Sequence, residues 1–129
     1  MGGQPIIELT EADIFQREEL VLRNVTLRVD EGELVYLIGR VGTGKSSLIK
    51  TLNAEIPLVQ GAGQVLGYDL AHLKSRDVPM LRRKLGVVFQ DFRLLVDRNV
   101  KENLEFVLKA TGWKQQKAIT ERIHKVVEL

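Results

Sequence analysis

Residues 39–46 read GRVGTGKS, a complete match to the pattern G-x-x-x-x-G-K-[ST]. The apolar run LVYLI at 34–38 leads into this stretch, and the helix-like run SSLIKTL at 46–52 follows it. A strand, a glycine-rich loop and a helix in this order form the context in which the pattern indicates a phosphate-binding loop. The sequence therefore predicts that residues 34–38 are a buried strand ending at this loop.

The residue types of the loop suit the chemistry of a polyphosphate. Glycine at Gly39, Gly42 and Gly44 lets backbone N–H groups converge on one point. The helix that follows directs its unpaired N–H groups and the positive end of its dipole to the same point. Lys45 supplies a positive charge for the β- and γ-phosphates, and Ser46 supplies a hydroxyl for Mg²⁺. We therefore predict a site for a nucleotide, against the alternative of a glycine-rich turn without a ligand.

The composition is that of an ordinary globular chain of 129 residues, enough for one small domain with a core. Its 19 basic and 17 acidic residues leave a net charge of +2, which gives no reason to expect nucleic-acid binding. The absence of cysteine excludes disulfides and thiolate metal sites and fits a reducing cytosol. No apolar run approaches the roughly 18 residues that a membrane-spanning helix requires, and no signal-peptide pattern is seen.

Strands and helices alternate along the chain, which favours an α/β fold. The apolar patterns predict strands at residues 6–9, 20–29, 34–38, 64–66 and 85–89, and a polar loop at 10–19. Asp77 as an N-cap with Pro79 in the first turn predicts a helix to about residue 84. Asn99 with Glu102 resembles a capping box and predicts a helix to about residue 110. Further helices are predicted at about 45–54 and over an apolar stripe formed by Ile119, Ile123, Val126 and Val127.

Gln90 follows the predicted strand at 85–89 and opens a loop at 91–97. In doubly wound sheets, functional groups gather at the carboxyl ends of strands. A neutral amide at such a place can contact a metal ion or orient water without adding charge. From spacing alone, a polar residue at a strand exit is the favoured interpretation.

The order of these pieces resembles the first half of an ABC-type nucleotide-binding domain. Phe15 stands 24 residues before Gly39, and Gln90 stands 45 residues after Lys45. Residues 75–103, reading SRDVPMLRRKLGVVFQDFRLLVDRNVKEN, closely resemble the FtsE family of ATP-binding subunits, which pair with the membrane protein FtsX in bacterial cell division.

The resemblance implies an α/β P-loop NTPase of which residues 1–129 form the N-terminal part only. A RecA-like core portion with an antiparallel β edge would occupy about 1–96, and the start of the helical subdomain about 97–129.

The resemblance also implies roles for individual residues. Phe15, where the family more often has Tyr, would stack on adenine. Gln90 would reach Mg²⁺ and the attacking water, and would be catalytic together with Lys45. Ser46 would join Gln90 in holding Mg²⁺, and Val41 stands where many members carry Ser, Asn or Pro. The residues that would hold ATP are Phe15, Gly39, Arg40, Val41, Gly42, Thr43, Gly44, Lys45, Ser46 and Ser47.

The implied function is that of a cytoplasmic ATP-binding subunit, peripheral on the inner face of the cell membrane. It would couple ATP binding and hydrolysis to an integral membrane partner, FtsX-like, in cell division. The region 91–103 would face that partner, and two copies of the full-length protein would form a homodimer. The alternatives are the ATPase subunit of an ABC transporter, a truncated module that binds nucleotide without catalysis, and a small P-loop kinase.

Motifs that ABC ATPases carry downstream are absent from this sequence: an LSGGQ-like signature, an hhhhDE strand with the Mg²⁺-binding Asp and the catalytic Glu, and a later His. In the family that strand lies between the strands predicted at 34–38 and 85–89. Without it, both would expose unpaired backbone groups. We therefore expect a fragment or truncated product that is marginal as a monomer, binds a partner segment or exchanges strands, and hydrolyses ATP at background only.

Overall fold

The computed structural model describes residues 4–128. The chain forms two compact units, Met1–Gly86 and Val87–Leu129. The first holds all of the strands and the phosphate loop, and the second holds the segment around Gln90 and two helices. The division into a core portion and a helical subdomain near residue 96 stays a prediction.

An antiparallel sheet of four strands forms the frame of the first unit, in the order β2-β1-β3-β4. Strands β1 (Pro5–Gln16) and β2 (Glu19–Asp30) form a long hairpin. Strand β3 (Gln60–Val65) pairs with the other edge of β1, and the short β4 (Tyr68–Asp69) pairs with β3. The strands predicted at 6–9, 20–29 and 64–66 are therefore confirmed, although the first is much longer than expected.

The polar segment predicted as a loop at 10–19 is mostly strand, so that prediction is wrong. Strand β1 continues through it to Gln16, and its pairing with β2 shifts register between Leu9 and Ala12 and again before Ile14. Such bulges add a residue to one strand and break the period of two that marks a strand in sequence. Ala12 and Ile14 still point into the core, where both are buried.

Two helices cover this sheet. Helix α1 (Lys45–Leu52) contacts β1 and buries Leu48 and Leu52, and helix α2 (Val78–Arg83) buries Leu81. The guanidinium of Arg82 donates hydrogen bonds to the carbonyls of Asn53 and Ala54 at 3.1 and 3.3 Å, which ties α2 to the end of α1. The core of the unit consists of Leu9, Ala12, Ile14, Leu48, Leu52, Leu58, Val65, Leu70 and Leu81.

The apolar segments at 34–38 and 85–89 form no strand, so the prediction of two buried strands is wrong for this structure. Leu34 and Ile38 are 80% and 91% exposed, and Val88 is 95% exposed. A strand persists only where a neighbouring strand takes up its backbone N–H and C=O groups. Within residues 4–128, none of the four strands pairs with either segment.

In the second unit, helix α3 (Val100–Ala110) packs against helix α4 (Gln116–Val127). The predicted capping box is confirmed: Asn99 Oδ1 accepts from Glu102 N at 2.8 Å, and Glu102 Oε1 accepts from Asn99 N at 3.4 Å. Of the predicted stripe on α4, Ile119 and Ile123 are buried, whereas Val126 and Val127 are exposed.

The first turn of α2 was predicted from Asp77 and Pro79, and the helix does begin at Val78 with Pro79 in its first turn. Asp77 is the N-cap as predicted, although its side chain makes no capping hydrogen bond. None of the helices within residues 4–128 combines the length and the apolar character that crossing a bilayer demands.

Burial predicts that the same substitution has a large effect on the free energy of unfolding at one position of the first unit and a small effect at another. Leu9 is fully buried, so we expect Leu9→Ala to lower the free energy of unfolding by about 2–5 kcal/mol. Leu34 is exposed, so we expect Leu34→Ala to change it by less than about 0.5 kcal/mol. Urea unfolding followed by circular dichroism measures both, and equal effects at the two positions would contradict the placement of the core.

Candidate functional site

The phosphate loop, residues 39–46, ends at the N-terminus of α1. Gly42 and Gly44 have φ angles of 87° and 100°, which is the left-handed region that favours glycine. Gly44 is the N-cap, and the first helical hydrogen bond runs from Leu48 N to Gly44 O at 2.9 Å. The N–H groups of residues 45–47 precede that bond and are directed out of the helix end. An anion at this point meets the donors and the positive end of the helix dipole together.

Hydrogen bonds within the loop hold its shape. The Arg40 carbonyl accepts from Thr43 twice, from the backbone N at 3.2 Å and from Oγ1 at 2.6 Å. The Lys45 ammonium donates to the Gly39 carbonyl, so its side chain folds back along the loop. The cationic end of Lys45 therefore lies at the start of the loop, while its backbone lies at the start of the helix.

The remaining predicted loop residues differ in exposure. Arg40, Val41 and Ser46 are exposed, and Val41 is completely so. Ser47 is buried, and its carbonyl accepts a hydrogen bond from Thr51 Oγ1 at 2.8 Å. Ser46 thus presents a hydroxyl at the helix end, whereas the Ser47 side chain faces inward.

Phe15 lies near the end of β1, half-buried, and pairs with Leu20 across the hairpin. Leu22 follows Leu20 by two residues on β2, and its side chain lies against Gly44 of the phosphate loop. The structure therefore brings the hairpin that carries Phe15 and the phosphate loop into one region of the first unit. Sequence reasoning missed Leu22, because an apolar residue in a strand carries no signal beyond burial.

Gln90 belongs to the second unit, where it occupies an exposed turn. Phe92 N donates to the Phe89 carbonyl at 3.2 Å, and the Arg93 guanidinium lies 3.9 Å from the centre of the Phe89 ring. Arg93 also forms an ion pair with Asp91 at 3.6 Å. These contacts fold the chain tightly around Gln90, whose role beside the phosphate loop stays a prediction.

Asn103 organises the segment that follows this turn, and sequence reasoning missed it. Its Oδ1 accepts from Leu95 N at 2.8 Å. Its Nδ2 lies 3.1 Å from the Leu95 carbonyl, 3.2 Å from that of Arg98 and 2.9 Å from that of Asn99. One side chain of α3 therefore holds residues 95–99, within the region predicted to face a partner. An asparagine inside a helix was the only sequence signal, since such a residue usually competes with the helix backbone.

Among residues 4–128, no group of three or more His, Asp or Glu side chains could hold a metal ion. The hydroxyl of Ser46 is an oxygen ligand of the kind that Mg²⁺ prefers, and it lies exposed at the end of the helix that attracts phosphate. The loop residues therefore fit a magnesium ion that arrives with a phosphate ligand.

Comparison with known proteins fits this geometry. The profile of the ABC transporter family matches residues 22–129. The chain belongs to this family. The family and the α/β fold class predicted from the sequence are thereby confirmed, and the match includes the whole phosphate loop and the segment around Gln90.

Two relatives in this family differ in the roles that their names give. The chain is 39% identical over 108 residues to the cell division ATP-binding protein FtsE of Streptococcus pneumoniae, covering 84% of this chain and 46% of that protein. It is 34% identical over 125 residues to the methionine import ATP-binding protein MetN of Helicobacter pylori, covering 96% of this chain and 38% of that protein. The chain thus spans less than half the length of both relatives.

Among solved structures, the chain resembles the dimeric bacterial ABC transporter cassette MJ0796, with a TM-score of 0.82 and 26% identity. The similarity covers 95% of this chain and 56% of that one. A post-hydrolysis state of the same cassette, bound to ADP and phosphate, gives a TM-score of 0.80. The ABC cassette fold therefore extends over nearly all of this chain.

The hydrogen bonds of Asn103 predict a local effect of its removal. We expect Asn103→Ala to speed hydrogen exchange at the Leu95 amide by about 2- to 12-fold, because a part-buried hydrogen bond of this kind contributes about 0.5–1.5 kcal/mol. Lys101→Ala, on the same helix and exposed, is the control and should leave that amide unchanged. Unchanged exchange in Asn103→Ala would show that the segment is held by other contacts.

Proposed function

We propose that this chain is the ATP-binding portion of an ABC-type subunit that works with a membrane partner. The observation that carries the proposal is the end of α1, where a loop with two left-handed glycines directs backbone N–H groups outward beside the Lys45 side chain. Backbone donors at a helix N-terminus, together with a cation held within the same loop, recognise phosphate groups in particular.

In this proposal each loop residue has a physical task. The N–H groups of Gly42 and of residues 44–47 bind phosphate oxygens, whereas that of Thr43 donates to the Arg40 carbonyl, and for the buried Ser47 only the backbone takes part. The Lys45 ammonium exchanges the Gly39 carbonyl for the β- and γ-phosphates. Ser46 gives its hydroxyl to Mg²⁺, which neutralises phosphate charge when bound. Arg40, Val41 and Thr43 contribute backbone to the cradle.

Phe15 completes the nucleotide site by stacking its ring on adenine. The ring lies near the end of the hairpin whose second strand contacts the loop, which supports one continuous site for base and phosphates. An aromatic face in this place recognises a base through stacking, and the absence of the Tyr hydroxyl does not affect that contact.

For catalysis, we assign Gln90 to Mg²⁺ and the attacking water, and Lys45 to the charge on the transferred phosphate. Phosphoryl transfer depends on positioning and charge stabilisation, and water must be oriented by a nearby group. The longer ABC-type subunit would hydrolyse ATP. The 129 residues alone lack a carboxylate in an hhhhDE strand and would do so only at background.

The partner of the proposed subunit is an integral membrane protein that docks on residues 91–103, and two copies of the subunit form a homodimer around ATP. The identity to FtsE favours an FtsX-like partner in cell division. The match to MetN over 96% of this chain supports a second candidate, the ATPase of an importer. Co-purification from the source cell with an FtsX-like protein would support the first role, and a transporter permease would support the second.

Lys45→Ala tests the nucleotide site directly. We expect the dissociation constant for MgATP to rise by about 10- to 100-fold, because a hydrogen bond to a charged phosphate contributes about 1.5–3 kcal/mol. Isothermal titration calorimetry of the 129-residue chain measures this change. Lys50→Ala, an exposed lysine of the same helix, is the matched control and should bind MgATP as the unaltered chain does. Unchanged affinity in Lys45→Ala would overturn the assignment.

A further inference from the structure

Leu22 of strand β2 packs directly on Gly44 of the phosphate loop. A Cβ atom placed on Gly44 would lie 2.8 Å from Leu22 Cγ and 3.2 and 3.3 Å from its two methyl carbons. At such distances, contact already exists between the Leu22 side chain and the Gly44 backbone. A side chain at position 44 is therefore disfavoured twice, by the left-handed φ of 100° and by Leu22 against it.

The conformation of Gly44 decides where the phosphate donors point. It is the N-cap of α1, and the N–H groups of residues 45–47 follow from it. Glycine has more backbone conformations available than any other residue, so a loop with Gly42 and Gly44 loses entropy when it takes one shape. No capping side chain restrains this helix end, since Gly44 has none. A bulky neighbour that excludes other conformations can supply the missing restraint.

We propose that Leu22 is a positioning residue for phosphate binding: its side chain holds Gly44 in the binding conformation before the ligand arrives. The proposal rests on the proposed function of the loop. Leu22 reaches the loop from the hairpin that carries Phe15, through the cross-strand pairs of Leu22 with Ile14 and of Leu20 with Phe15. The paired strands of the hairpin therefore fix the position of Leu22, and Leu22 in turn restrains Gly44.

Leu22 also packs against the hydrophobic core, so its truncation lowers stability in any case. Leu27 gives a matched control, because it lies on the same strand and packs against the same core. Leu27 differs from Leu22 in its neighbours, because it pairs with Leu9, away from Phe15. The three atoms nearest to a Cβ placed on Gly44 all belong to Leu22. A structural role alone predicts that Leu22→Ala and Leu27→Ala behave alike once folded.

The test measures binding of inorganic tripolyphosphate and of MgATP to the folded chain, with the folded fraction determined by circular dichroism. We expect Leu22→Ala to weaken both by about 10-fold, because ordering a free loop is added to the cost of binding. Leu27→Ala should leave both affinities unchanged. Leu22→Met keeps the bulk of the side chain and should bind both ligands as the unaltered chain does. Unchanged affinity in Leu22→Ala, or an equal loss in Leu27→Ala, would overturn the proposal.

A second measurement needs no ligand and separates this proposal from the function on which it rests. We expect Leu22→Ala to shift the ¹⁵N–¹H resonances of Gly42 and Gly44 and to speed their hydrogen exchange, whereas Leu27→Ala leaves them in place. If the unaltered chain bound neither probe, the proposed function would fail, and the positioning of phosphate donors would fail with it. If both probes bound but the Gly44 resonance were the same in Leu22→Ala, the positioning role alone would be wrong.

Discussion

The functional part of this chain depends on one constraint, the left-handed conformation of Gly44 immediately before α1. It turns the backbone so that the helix starts at Lys45 with its free N–H groups directed at the loop. Bonds from Thr43 to the Arg40 carbonyl and from Lys45 to the Gly39 carbonyl close the remainder of the loop. Anion recognition then follows from backbone geometry, with a single ammonium group added.

The antiparallel sheet supports this loop, whereas the apolar segments at 34–38 and 85–89 find no partner strand in it. Strand β1 has neighbours on both edges and buries Leu9, Ala12 and Ile14. The segments at 34–38 and 85–89 are as apolar as strands, yet neither forms one, and residues 34–38 and Val88 remain exposed. Apolar character alone therefore does not make a strand, because the backbone also needs a partner for its hydrogen bonds.

Sequence patterns correctly predicted features that depend on neighbouring residues. They failed for features that depend on contacts with residues far away in the chain. The capping box of Asn99 and Glu102 and the start of α1 after the glycine loop follow from local chemistry. The length of β1 was hidden by its bulges, and the exposed segment at 34–38 reflects the lack of a partner strand. The contacts of Leu22 and Asn103 join residues 22 and 8 positions apart, and the sequence does not show which residues they contact.

In the proposed function, backbone amides at the start of α1 bind the phosphates of a nucleotide. Titration of the ¹⁵N-labelled chain with MgATP, followed by the amide resonances, measures this binding residue by residue. We expect the largest shifts on residues 42–47, and we expect them to saturate together with the ring resonances of Phe15. Saturable binding that left the amides of residues 42–47 unmoved would contradict the proposed function, as would the absence of any shift.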